Sequence, residues 1–168
     1  FVLHEGPLGV FDGSLTEKSY SDLKESGKSG LTFKPEKLGG WIGITDKYWM
    51  AALIPDQSQK SKFTYRYINS NKSYQTDFLG QLSVIAPNSE QVITSRVFSG
   101  AKKLNLLDSY ENDLKIEHFD LAIDFGWFYF LTKPFFYALS WANNLLGNFG
   151  LAILAITVIV KLVFFPLA

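Results

Sequence analysis

The sequence has no cysteine, only two histidines and no excess of charge of either sign. Without cysteine, the chain can form neither a disulfide nor a thiolate metal site. Its 16 basic and 16 acidic residues balance, and no basic patch favours nucleic-acid binding. His4 and His118 are far apart in sequence, and no phosphate loop, metal-ligand spacing or nucleophile motif is present. The sequence therefore favours neither an enzyme nor a cofactor site.

The longest apolar run lies near the end of the chain. It covers residues 149–165, and only Gly150, Thr157 and Lys161 interrupt it. Extended to residue 168, the run reaches the roughly 20 residues that cross a hydrocarbon core about 30 Å thick. We expect residues 148–168 to form a transmembrane helix that is truncated at residue 168. A buried helix of a soluble core is the alternative interpretation.

Lys161 is the single charge in this run. It follows Phe149 by twelve positions, which places it about 18 Å along a helix and just beyond the middle of the membrane. A lysine at that depth costs about 2.5–3.5 kcal/mol to insert, so its ammonium must reach an interface or a hydrated cavity. The depth favours a hydrated cavity within a helix bundle, and a snorkelling anchor is the alternative.

Residues 133–147 predict a second, shorter apolar helix. Proline is suited to the first helical position, so the helix is expected to begin at Lys133-Pro134. Its polar and small residues share one stripe: Lys133, Ser140, Asn144 and Gly147. Apolar residues, including Trp141, cover the remainder, as in amphipathic helices that lie in the membrane interface. An alternative to the interfacial position is that this helix packs against the core of the β-sandwich. Gly147 is expected to cap the C-terminus of this helix, and Asn148 is expected to cap the N-terminus of the next one.

Upstream, residues 1–118 read as an antiparallel β-sandwich. Apolar or alternating segments separated by turn residues predict strands. They lie at 1–10, 41–44, 48–54, 62–68, 74–79, 82–86 and 91–99. Residues 14–30 are expected to be a loop or a short exposed element, and 101–114 an amphipathic helix whose acidic residues Asp108, Glu111 and Asp113 face solvent. Residues 119–132 are expected to be an extended connector.

The abrupt ends of the sequence favour a fragment, in which a missing N-terminal part would leave a sheet edge exposed. The order of its parts resembles the YidC-type membrane protein insertases of Gram-negative bacteria. The residues that carry the resemblance are FDLAIDFGW at 119–127, the Lys-Pro pair, Gly-Asn-Phe-Gly at 147–150 and ITVIVKLVFFPL at 156–167. Gly-Gly-Trp at 39–41 and YWMAALIP at 48–55 support it upstream. It implies the C-terminal half of a periplasmic β-supersandwich, then an interfacial helix and the second transmembrane helix.

The resemblance also implies a function. Such proteins assist the insertion and folding of inner-membrane proteins, alone or with the Sec translocon, and their partners are nascent membrane proteins and lipid. Their core helices form a hydrophilic groove with one positive residue, which corresponds to Lys161 here. That residue is usually arginine, so this chain keeps the charge but loses the planar, bidentate fork.

A membrane-anchored carbohydrate-binding or sensor module is the rival interpretation. Four aromatic residues of the β region could stack on sugar rings: Trp41, Trp49, Tyr65 and Tyr67. Such residues are more often part of a hydrophobic core. An enzyme is the least favoured class.

Overall fold

The structure is a computed structural model that describes residues 4–126 and 129–165. Its strands are β1 Gly6–Phe11, β2 Ser14–Glu17, β3 Leu31–Phe33, β4 Trp41–Thr45, β5 Trp49–Ile54, β6 Ser61–Ile68, β7 Ser73–Gly80 and β8 Arg96–Ala101. Its helices are α1 Tyr20–Glu25, α2 Leu104–Leu114, α3 Tyr129–Leu146 and α4 Phe149–Phe164. Short 3-10 turns cover Gly27–Ser29 and Phe119–Ala122. The chain divides into two compact units, Phe1–Asp124 (the β unit) and Phe125–Ala168 (the helical unit).

The β unit contains two antiparallel sheets. The larger sheet has the strand order β2-β1-β4-β5-β8, and the smaller sheet has the order β3-β6-β7. Phe11 and Ile42 of the larger sheet share a core with Phe63 and Tyr65 of the smaller one. The rings of Phe11 and Phe63 lie 4.8 Å apart. Side chains of both sheets therefore interdigitate, and the prediction of a mainly antiparallel β-sandwich is confirmed.

The larger sheet is buried on its other face as well. There Leu8, Val10 and Trp41 pack with Leu107 of α2 and with Phe119 of the turn that follows α2. Successive residues of a strand point to opposite faces, so strands β1 and β4 supply one core with Val10 and Trp41 and the other with Phe11 and Ile42. This double burial explains why β1 and β4 read as continuous apolar runs rather than as alternating ones.

Two strand predictions are wrong. Residues 82–86 form no strand, and β8 begins at Arg96 rather than at Gln91. The whole stretch 81–95 is exposed, and Leu82 and Val84 are 100% accessible. Alternating apolar residues form a strand only where a neighbouring strand accepts their hydrogen bonds, and no described residue pairs with this stretch.

The prediction of a loop or a short exposed element at residues 14–30 is confirmed in part, because the elements there are short and mostly exposed. This stretch holds β2 and α1. A capping box starts α1: the Asp22 N–H donates to the Ser19 hydroxyl, and the Ser19 N–H donates to the Asp22 carboxylate. Leu23 is completely buried against the sheets. The polar composition of this stretch gives no clear helical pattern, although α1 contributes Leu23 to the core between the two sheets.

The connector and the first C-terminal helix differ from the sequence-based expectation. Residues 119–122 form a 3-10 turn, and α3 begins at Tyr129, so Pro134 lies inside the helix and not at its first position. Apolar residues continue the helix upstream of the proline, which removes only one N–H from the early turns. Residues 1–3, 127–128 and 166–168, which belong to a predicted strand, the connector and the predicted transmembrane helix, lie outside the described residues.

α4 has 16 residues. Among residues 4–126 and 129–165, no helix has both the length and the apolar character required to cross a membrane.

Candidate functional site on the helix pair

A two-residue corner joins α3 to α4. Gly147 has a φ of +65°, and its N–H donates to the carbonyl of Asn143 at 2.8 Å. Asn148 then caps α4, because its side-chain oxygen accepts from the N–H groups of Gly150 at 2.8 Å and Leu151 at 3.2 Å. Both predicted caps are confirmed. A left-handed glycine followed by a capping asparagine lets the chain reverse without unpaired backbone groups.

The two helices contact each other through small residues. Ala142 of α3 and Ala152 of α4 are buried, 3% and 0% accessible. Most large apolar side chains of the pair are instead exposed: Phe130, Leu131, Phe135, Phe136, Tyr137, Trp141, Leu145, Leu146, Phe149, Leu151, Ile153, Leu154, Val158, Ile159, Leu162, Val163, Phe164 and Phe165. Apolar surface of this extent is typical of a region covered by lipid or by other protein segments.

Lys161 lies on the face of α4 that points away from α3. The residues of α4 with the least accessible side chains mark the α3 side: Ala152, Ala155, Ile156 and Val160. Lys161 follows Ala152 by nine positions, which is roughly 180° around a helix of 3.6 residues per turn. Thr157, one turn earlier, lies on the same side as Lys161 and donates its hydroxyl to the carbonyl of Ile153 at 2.7 Å. Lys161 and Thr157 thus form a short polar stripe on an otherwise apolar, exposed surface.

The position of Lys161 along α4 has an electrostatic consequence. It lies in the last turn of the helix, where backbone carbonyls carry partial negative charge. A cation is favoured there even without a ligand. Its side chain is exposed.

The other predicted site residues are spread along α3. Lys133 is half-buried, Pro134 is exposed, and Trp141 is 65% accessible. Gly147 ends the helix. The predicted polar stripe has no uniform environment, because Lys133 and Ser140 are half-buried whereas Asn144 is exposed.

A cluster of titratable residues in the β unit was missed by the sequence analysis. One ligand atom each of Glu111, His118 and Asp120 lies within 4.8 Å of the others, close enough that the three side chains could share a metal ion. Glu111 comes from α2, and the other two come from the turn that follows. The Asp120 N–H also donates to the Glu111 carboxylate at 3.1 Å. His118 is exposed as predicted, but Glu111 is half-buried rather than on a solvated helix face.

Burial raises the pKa of the Glu111 carboxyl above its usual 4.5, and the Asp120 carboxyl raises it further. The N–H of Asp120 and the His118 ring act in the opposite direction. A carboxyl whose pKa is higher in the folded state stabilises the fold fully below about pH 4.5 and loses that contribution as the pH rises through the folded-state pKa.

Glu111→Gln is therefore expected to remove one pH-dependent component of stability. The free energy of unfolding of wild type should fall relative to the variant as the pH rises above 4.5. Urea unfolding between pH 4 and pH 8 measures the difference. Glu90→Gln, the same exchange in the exposed stretch 81–95, is the control. Parallel pH profiles for wild type and Glu111→Gln would contradict the assignment.

Two of the four aromatic residues considered for sugar stacking are part of the core. Trp41 and Tyr65 are 0% accessible, and Tyr67 is half-buried. Trp49 is 61% accessible. Trp41 and Tyr65 therefore cannot stack on a sugar ring, and of the four residues Trp49 has the most accessible ring.

The chain thus combines an antiparallel β-sandwich with a pair of helices whose large apolar side chains are mostly exposed, a combination typical of proteins with a region that contacts lipid or other protein segments. The family model for the YidC periplasmic domain matches residues 1–138. The chain is 49% identical over 99% of its length to the membrane protein insertase YidC of Rickettsia prowazekii and to that of Rickettsia akari. The Rickettsia felis protein of the same name is 48% identical over the same share. The chain belongs to the YidC family, and it spans about 30% of the length of these relatives.

Proposed function

We propose that this chain is part of a membrane protein insertase and that the Lys161 face of α4 contacts the inserting substrate. The observation that carries the proposal is the pair Thr157 and Lys161, which lies opposite the α3 contact on a helix whose remaining surface is apolar and exposed. Family membership and the insertase relatives support it. The proposed partners are nascent membrane proteins, lipid and the Sec translocon.

The proposed mechanism is electrostatic. An ammonium group in a hydrated groove surrounded by apolar side chains attracts carboxylates more strongly than one in bulk water, because the effective dielectric constant is lower. A polar substrate tail could pair transiently with Lys161 while its apolar segment moves into lipid. The step needs no covalent chemistry and no cofactor.

The proposed placement follows from the helices. α4 extends about 24 Å at 1.5 Å per residue, and we propose that it enters the hydrocarbon core, which is about 30 Å thick. α3 would lie in the membrane interface with the exposed Trp141 among the headgroups. In this arrangement the protein resides in the bacterial inner membrane, with the β unit in the periplasm.

Photocrosslinking in the whole protein tests the proposal. A photoreactive residue replaces Leu154 or Phe164, which are 63% and 58% accessible and lie on the Lys161 side of α4. The matched control is Ile156 on the α3 side. Crosslinks to a nascent membrane protein from Leu154 and Phe164, but not from Ile156, are expected. Crosslinks to lipid alone from all three positions would refute a substrate contact.

A further inference from the structure

The β unit contains a cavity of about 690 Å³ that is separate from the candidate sites described above. Neither Lys161 nor any member of the cluster Glu111, His118 and Asp120 is among its lining residues. It lies between the end of α1 with its following 3-10 turn and the end of β6 with the turn toward β7. Its lining includes Lys24, Lys28, Arg66, Tyr67, Asn69 and Ser70. The volume is within the range of about 300–1,000 Å³ that is usual for small-molecule sites.

The charge of this cavity is one-sided. Lys24, Lys28 and Arg66 contribute cations, and no carboxylate is among the lining residues. Arg66 is partly neutralised from outside the lining by Asp77, whose carboxylate lies 3.1 Å from its guanidinium. Within the described residues Lys24 and Lys28 form no salt bridge, and the chain as a whole has a net charge of zero. Like charges around one concavity favour an anionic ligand.

The walls offer suitable contacts for such a ligand. Lys24 holds its ammonium 5.8 Å from the centre of the Tyr67 ring, so its charge is oriented along the cavity wall. Gly27 has a φ of +69°, and a Cβ there would meet nothing within 4 Å, so the wall is open beside the backbone. Ser70 and Asn69 add a hydroxyl and an amide that can donate hydrogen bonds.

We propose that this cavity binds a phosphate group through Lys24 and Lys28. Lysine ammonium groups bind phosphate as point charges, and hydroxyl and amide donors complete the shell of oxygen contacts. The Tyr67 ring and Ile68 provide apolar surface for whatever the phosphate carries. A soluble phosphate ester and a phospholipid headgroup share this chemistry. The site is independent of the insertase role proposed for α4.

The test compares Lys24→Gln/Lys28→Gln with a matched double variant. Both lysines are exposed, so the substitutions leave the core intact. The control is Lys47→Gln/Lys103→Gln, which makes the same change in charge at two exposed lysines that do not line the cavity. Circular dichroism confirms that each variant folds.

Calorimetric titration of the full chain in a non-ionic detergent, at constant ionic strength, uses inorganic phosphate, glycerol 3-phosphate and short-chain phosphatidylglycerol. We expect at least one probe to bind saturably. Lys24→Gln/Lys28→Gln should weaken the affinity for that probe about tenfold, which corresponds to about 1.4 kcal/mol, and the control should weaken it less than about twofold. Tight binding of phosphatidylglycerol alone would identify a lipid headgroup as the source, and binding of the two soluble probes would identify a free ester. No saturable binding, or equal loss in both double variants, would overturn the proposal.

Discussion

Replacement of Lys161 by glutamate in the whole protein is expected to reduce the insertion of a substrate with an acidic translocated tail by at least about tenfold. A pair of opposite charges 4 Å apart is worth about 4 kcal/mol at an effective dielectric constant of 20, and reversal of the charge turns this attraction into repulsion. A tenfold loss of insertion corresponds to only about 1.4 kcal/mol, so the proposed contact would give that loss even if water partly screens it. Complementation of an insertase-depleted strain and protease protection of the substrate tail measure it.

Two comparisons make this experiment specific. Lys161→Arg keeps the cation in the last turn of α4 and is expected to retain insertion. In the Lys161→Glu protein, the insertion of a substrate with an uncharged tail is expected to fall much less than the insertion of a substrate with an acidic tail. An equal loss for both substrates would show that the variant damages the helix rather than a charge contact, and full activity of Lys161→Ala for every substrate would exclude the proposed role.

The second large effect concerns the stability of the β unit. Trp41→Ala is expected to lower the free energy of unfolding by about 3–5 kcal/mol, as for other large buried aromatic residues. Trp41 is 0% accessible, and its ring contacts Phe119 edge-on at 5.3 Å. Its indole N–H donates to the Glu117 carbonyl at 3.1 Å. Urea unfolding followed by circular dichroism measures the loss.

Trp49→Ala is the matched control for this variant. Trp49 is 61% accessible, so its removal is expected to cost less than about 1 kcal/mol. The stability loss of Trp41→Phe should lie between those of Trp41→Ala and Trp49→Ala. Phenylalanine keeps most of the packing, but it leaves the Glu117 carbonyl without its donor, which costs about 1–3 kcal/mol. Similar losses for Trp41→Ala and Trp49→Ala would contradict the assignment of Trp41 to the core.

The sequence predicts a strand well where an alternating apolar pattern coincides with a neighbouring strand that can pair with it. Phe63, Tyr65 and Tyr67 alternate in β6, and two of the three are completely buried. The same reasoning fails at residues 82–86, since a strand also depends on a neighbour that a local pattern does not reveal. The start of α3 was misplaced because the preference of proline for a first helical turn is weaker than the apolar pattern upstream of it.

The sequence likewise predicts one candidate site and misses another. Lys161 stands out in sequence because a charge interrupts an apolar run, but only the structure shows that it lies opposite the α3 contact. The cluster of Glu111, His118 and Asp120 depends on two left-handed residues, Lys115 with a φ of 55° and His118 with a φ of 50°. Lysine gives no sequence signal for such a turn and histidine gives only a weak one, since glycine and asparagine are the usual residues there.

The double burial of the larger sheet determines how the β unit would respond to a mechanical load. Phe119 packs on Trp41 in the middle of that sheet, and the boundary of the β unit follows only five residues later, at Asp124. A pull on the chain beyond Asp124 would load the contact between Phe119 and Trp41 before it reached an edge strand. The packing in the interior of the sheet would therefore have to break before the force reached the edge strand β8.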